Sequence, residues 1–212
     1  SDLSAFYFDI RKDVLYCDSP TSMRRRAVRT VLDRLFYCLT TWLAPALVFT
    51  SEEAWLSRFP SSGDSVHLQG FPEIPSKYYD KELADRWRRI REIRRVINGA
   101  LEVERAEKRI GSSLEASVRL YLSEKTDADL VGSVDMAELT ISSEVVVATE
   151  SGPEGAYSVD GVKGVSVEVS GATGEKCARC WQFSSDVGSV SGHPDLCKRC
   201  YSVIEESTLQ SD

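Results

Sequence analysis

The sequence predicts a multi-part, mainly α protein, with a helical bundle, then a small α/β unit, then a compact four-cysteine knuckle. Three observations predict it. Apolar residues recur at steps of three and four as far as residue 110, and the period changes to two just after Gly111. Four of the six cysteines then fall in two C-x-x-C pairs near the end of the chain. The parts are residues 1–110, including a connector at 59–80, then 111–170 and 171–212.

The elements follow in order. Residues 3–16, LSAFYFDIRKDVLY, suit a short helix. Ser19-Pro20 reads as an N-cap followed by proline at the first helical position. A long helix then runs through Val28, Val31, Leu32, Leu35, Phe36, Leu39, Trp42, Leu43 and Leu47, and Pro45 is expected to kink or split it near Ala44. Thr50-Ser51-Glu52-Glu53 has the form of a capping box, which places a further helix start there. Pro60, Gly63, Gly70, Pro72 and Pro75 break the connector. A second long helix is expected over 82–110, roughly 40 Å at 1.5 Å per residue, with Leu83, Trp87, Ile90, Ile93, Ile97, Ala100 and Leu101 on one face and Gly111 closing it. Beyond it, strands are expected at 116–122, 141–148 and 165–169, with a helix at 127–139.

With 42% hydrophobic and 28% charged residues, the composition is that of a globular protein. No run approaches the roughly 20 apolar residues that span a bilayer, and the first residues lack a signal-peptide pattern. The chain opens without Met, directly into an apolar pattern, which reads as a piece of a longer protein. Paired C-x-x-C spacing suits a metal better than disulfides, so a reducing, cytoplasmic setting is expected. A monomer is also expected. The net charge of -7 disfavours a general nucleic-acid binder, but the charge is uneven. Residues 81–110 hold ten basic and six acidic side chains, whereas 111–160 hold two basic and ten acidic ones.

The spacing C-x2-C-x16-C-x2-C, from Cys177 and Cys180 to Cys197 and Cys200, brings two tight turns to one tetrahedral ion. Four thiolates fill the coordination sphere of a zinc ion, so one Zn2+ with a structural role is expected and no catalytic residue is assigned. His193 and His67 lack a nucleophile or acid partner that would make either a general base. Cys17 and Cys38 read as ordinary thiols. Arg179 lies between the first pair and Trp181 follows it; a cation and an exposed ring on a fixed turn suit a flipped-out base. On spacing alone, Trp181 equally suits a cover over the metal site.

The run 177-CARCWQ-182 with 197-CKRC-200, and its approach 171-GATGEKCARCW-181, resemble the C-terminal zinc finger of bacterial isoleucyl-tRNA synthetases. Residues 3–18 and 24–55 resemble that family's anticodon-binding helical domain, 65-SVHLQGFP-72 its connector, and 102-EVERAEKRIGSSLEASVRLYL-122 its long helix and following strand. The resemblance covers nearly the whole chain in one order. It implies a tRNA-recognition region whose parent enzyme activates isoleucine with ATP and charges its tRNA. The chain holds no H-I-G-H or K-M-S-K-S signature, so this region is expected to be non-catalytic, with isoleucine tRNA and the parent's catalytic and editing domains as partners. Arg88, Arg91, Arg94, Arg95, Arg105, Lys108 and Arg109 then become candidate phosphate contacts on the anticodon stem, with Arg179 and Trp181 meeting loop bases.

Two other readings stand beside this one. A similar finger closes the chain of formamidopyrimidine-type DNA-repair glycosylases, but those need an N-terminal catalytic proline where this chain has Ser1-Asp2. A zinc-ribbon module that contacts protein would suit the acidic 111–160 segment.

Overall fold

The computed structural model describes residues 2–61 and 63–209, so the ends of the expected 1–110 and 171–212 spans lie outside the described residues. The chain is mainly helical, with one small sheet and a cysteine cluster, and it divides into two compact units. One is Pro20–Asp80; the other joins Ser1–Ser19 to Lys81–Asp212. This grouping differs from the sequence division at residue 110. Periodicity shows that the second long helix buries a face, but it does not show against what.

In the larger unit that partner is the sheet. The helix α4, Lys81–Ala106, buries Ile90, Ile93, Val96, Ile97, Ala100 and Leu101. They pack with Val118, Leu120, Val165 and Val167 of the sheet and with Ile10 near the chain start. Each such side chain contributes about 1.5–3 kcal/mol by leaving water. Gly99, on another side of the helix, lets Tyr157 approach, because a Cβ there would overlap the Tyr157 ring. Strand β1 (Ala116–Leu122) is central, in the order β2-β1-β3. The strand β2 (Glu144–Ala148) pairs with it in parallel and β3 (Val165–Gly171) antiparallel. The expected single helix at 127–139 is two, α5 (Lys125–Gly132) and α6 (Met136–Thr140), because Asp135 starts a new turn by capping Glu138 N at 3.0 Å. Before α4, a π-helical turn at Leu3–Phe8 leads into α1, Lys12–Cys17.

The smaller unit pairs α2 (Met23–Leu43) with α3 (Val48–Arg58) around Phe36, Trp55, Phe59 and Val66. Pro45 does split the two helices, as the sequence suggested. Two caps differ. Ser22, not Ser19, caps α2 by accepting from Arg25 N. Thr50 lies inside α3, and Glu52 accepts instead from Val66 N at 2.9 Å and Ser65 Oγ at 3.0 Å, so the apparent capping box ties α3 to the connector. At the end of α4 the closing residue is Lys108 rather than Gly111: Lys108 has φ 58°, with Arg109 N donating to Glu104 O and Lys108 N to Arg105 O.

Candidate metal centre and nucleic-acid interface

The knuckle is built on a two-stranded ribbon, β4 (Glu175–Lys176) paired with β5 (Phe183–Ser184). Gly174 enters it at φ +91°, where a Cβ would strike the Ser184 backbone, so only glycine admits this approach. Between the strands the chain turns sharply, with Trp181 N donating to Cys177 O and Cys177 N to Gln182 O, both at 2.9 Å. The second pair opens α7, Lys198–Leu209, whose first amide donates to Asp186 Oδ2 at 3.2 Å. Phe183 N donates to Ser143 Oγ at 2.8 Å, which fixes the ribbon to the loop before β2.

This scaffold brings Cys177, Cys180, Cys197 and Cys200 together, all buried, with every sulfur within 4.8 Å of the others. Zinc–sulfur bonds of about 2.3 Å in a tetrahedron place the sulfurs roughly 3.8 Å apart, and Cys180 and Cys197 lie at 3.8 Å. The residues therefore fit one zinc ion, and Cys197 N donates to Cys177 Sγ at 3.4 Å as a further support. Cys180 is pushed down to about 5, first by the hydrogen bond from Cys200 and also by Arg199, while Cys200 is pushed up by the same bond. Such a cluster readily exchanges its protons for a metal ion. The fifth thiol nearby, Cys17, is buried and is pushed up to about 11 by that burial; it is not one of the four clustered sulfurs.

Trp181 and Arg179, paired in the sequence reading, separate here. Trp181 is 61% exposed at φ +66°, a left-handed conformation rare for a bulky residue. The Lys176 ammonium lies 5.8 Å from its ring centroid. Its exposure is at odds with a role as the cover of the metal site. Arg179 points the other way, donating to Cys17 O at 2.6 Å and Tyr16 O at 3.1 Å. The open carbonyls at the end of α1 hold its guanidinium through its N–H edge.

The basic segment is similarly reduced. Arg88 pairs with Asp85 at 2.7 Å, Arg91 with Asp2, Arg105 with Glu102 and Arg109 with Glu104 and Glu107. Arg94 donates to Leu139 O at 2.6 Å and lies over Phe6, with its pKa lowered chiefly by burial. Of the seven candidates, Arg95 and Lys108 have exposed side chains with no ion pair or hydrogen bond among the described residues. A run of arginine on a helix also attracts acids at helical spacing, and here they have it.

Comparison with known proteins follows the same division. The anticodon-binding domain of tRNA ligase matches residues 1–120, and a zinc finger found in FPG and IleRS matches 174–203. The chain belongs to the anticodon-binding domain family of tRNA ligases. Similar curated proteins include the isoleucine–tRNA ligases of Brucella abortus biovar 1 (strain 9-941), 49% identical over 205 residues, and of Agrobacterium fabrum, 50% identical over 208. The isoleucine–tRNA ligase of Mesorhizobium japonicum is 49% identical over 208 residues. Each alignment covers 97% of this chain and 21% of the relative, so the chain spans about a fifth of the length of the relatives it matches. The finger is common to two kinds of protein in its own description, and the match over 1–120 separates them in favour of the ligases.

Within this anticodon-binding family member, the sequence reading passed over a second basic helix. Arg26, Arg29 and Arg34 on α2 are exposed, with no side-chain partner among the described residues. At 3.6 residues per turn they share roughly 140° of the helix circumference. The run 24-RRR-26 was the available signal. Cys17 and Asp13 were also missed as parts of the knuckle's surroundings, since 162 to 186 residues separate them from their partners Arg179 and Arg199 in sequence.

Proposed function

We propose that this chain is the tRNA-recognition region of an isoleucine–tRNA ligase, non-catalytic itself and acting with the catalytic and editing parts of the same parent chain on isoleucine tRNA. The parent acts as a cytoplasmic monomer. The observation that carries the reading is Trp181, an exposed ring held in a strained conformation by a zinc turn, with a cation against it, in a chain of the anticodon-binding family. Zinc supplies rigidity here and no open coordination position. Trp181 then offers a stacking surface for an unpaired base of the anticodon loop, and Lys176 neutralises an adjoining phosphate. The unpaired cations Arg26, Arg29, Arg34, Arg95 and Lys108 supply phosphate contacts, which orient the RNA and make binding salt-dependent.

The test is Trp181→Ala in the full-length enzyme. Base stacking on an aromatic contributes about 1–3 kcal/mol, so kcat/KM for tRNA charging falls roughly 5- to 150-fold while isoleucine-dependent ATP–pyrophosphate exchange stays within twofold. Equal losses in both reactions would make Trp181 a folding residue and sink the stacking role.

A further inference from the structure

The two zinc turns do more than hold the metal: each sends an arginine to the far end of the chain. Arg179 and Arg199 occupy the same place in their C-x-x-C turns, one residue before the second cysteine. Arg199 forks onto Asp13 of α1, Nη1 to Oδ2 at 2.6 Å and Nη2 to Oδ1 at 2.8 Å, with Asp18 at 3.8 Å. Arg179 caps the same helix through Cys17 O and Tyr16 O. Each arginine also touches the opposite turn, Arg179 through Cys200 Sγ at 3.7 Å and Arg199 through Cys180. Cys17 completes the contact, its thiol 3.9 Å from Arg179 O and its side chain packed in the knuckle's own apolar cluster.

Charge links these contacts to the ion. One Zn2+ with four thiolates is a complex of net charge -2, and partly buried charge of that kind needs counter-charge close by. Two guanidiniums bridge the complex to α1. The helix α1 has six residues, too few to persist without tertiary support. Its carbonyls are capped by one arginine and its first-turn acid is paired with the other. Metal, arginines and α1 therefore form one cooperative set.

We infer that the zinc knuckle is a latch on the first helix, with Arg179 and Arg199 as positioning residues, so that zinc loading orders residues 12–18 and those residues in turn tighten zinc. Linkage makes the two effects equal: the factor by which the docked helix raises zinc affinity is the factor by which zinc favours docking. The latch also sets where Trp181 stands relative to α1, because the ring follows Cys180 directly in the chain.

Asp13→Asn tests this, because Asp13 lies 186 residues from Arg199 and is no ligand. Zinc affinity is measured on the chain by competition with a chromophoric chelator, and amide hydrogen exchange is followed over residues 12–18. Loss of a supporting partner outside the ligand set weakens metal binding about 10- to 100-fold, and that loss is expected for Asp13→Asn. Asp13→Glu, which keeps the charge, recovers part of it. In the unaltered chain, zinc removal accelerates exchange at Leu15 and Asp18 while β1 stays protected. An Asp13→Asn affinity within twofold of the original overturns the latch. So does α1 exchange that ignores zinc, a measurement that needs no variant to fold.

Discussion

The two long helices are both rich in arginine, yet they hold their arginines differently. On α4, Arg88, Arg89, Arg91 and Arg105 are paired with carboxylates, as is Arg109 just beyond its end, and Arg94 caps a carbonyl. On α2, Arg26, Arg29 and Arg34 face solvent without such partners among the described residues. The sequence of α4 has the denser charge, so charge density and available charge point to different helices. Acids at i±3 on α4 pair Arg88, Arg89 and Arg105, the acidic α/β unit supplies Asp127 to Arg89, and Asp2 near the chain start pairs Arg91. The strongly negative 111–160 segment thus acts in part as a local counter-charge, through Asp127.

That division is sharpest at Arg89. It donates to Asp127 at 2.9 and 2.5 Å, to Glu92 at 3.0 Å and to Lys163 O at 3.1 Å, and these carboxylates raise its pKa, Asp127 most. Asp127 is buried, so Arg89→Ala leaves a carboxylate with its principal partner gone. A loss of about 2–4 kcal/mol is expected, read as a lower urea midpoint with unchanged slope. Asp127→Ala added to Arg89→Ala restores part of it. A loss under 0.5 kcal/mol would mean that the α4 arginines are dispensable for folding, and the contrast with α2 would collapse.

The second prediction concerns α2. Replacing Arg26, Arg29 and Arg34 together by alanine changes stability by about 0.5 kcal/mol or less, since exposed groups without partners contribute little. In the full-length enzyme the same change flattens the salt dependence of tRNA binding, with a slope of log K against log salt smaller by about 2–3. Arg91→Ala on α4 together with Arg109→Ala just beyond its end moves that slope by less than about 1. Equal slope changes from both sets would show that ion pairs on α4 open to meet RNA, and that reserve charge is no guide to the interface.

How much of this was legible in sequence depends on the range of the interaction. The four ligands were readable because each pair is local and its spacing alone carries the geometry. Strands β1 and β3 were readable because a period of two survives any partner, whereas β2 lacks that period and starts at Glu144 rather than 141, since Ile141 takes the left-handed cap of α6. The fate of Arg179 was not, because its acceptors, Tyr16 O and Cys17 O, lie at the other end of the chain and are backbone atoms that every residue possesses. The grouping into compact units was not legible for a related reason: the stripe on α4 fits a sheet as well as it fits another helix. The capping box at Thr50 had the right letters, but Glu52 found better donors in Ser65 and Val66. Local patterns specify what a segment can do, and tertiary partners select among those options.

The smallest expected effect joins both halves of the comparison at Lys108. This residue closes α4 at φ 58°, where a side chain costs roughly 1–2 kcal/mol and glycine is unstrained. Glycine also makes the unfolded chain freer, by about 0.4–1 kcal/mol. Lys108→Gly therefore stabilises the protein by roughly 0.5–1 kcal/mol, a rise in urea midpoint that the resulting loss of a cation near the helix C-terminus reduces slightly. If the same variant lowers the tRNA-binding salt slope by about 1, the strained lysine is retained for its charge, and the end of α4 joins α2 as a reserve of unpaired cations. If stability rises and the slope holds, Lys108 is only an imperfect cap, and available charge on α4 shrinks to Arg95 alone among the seven candidates.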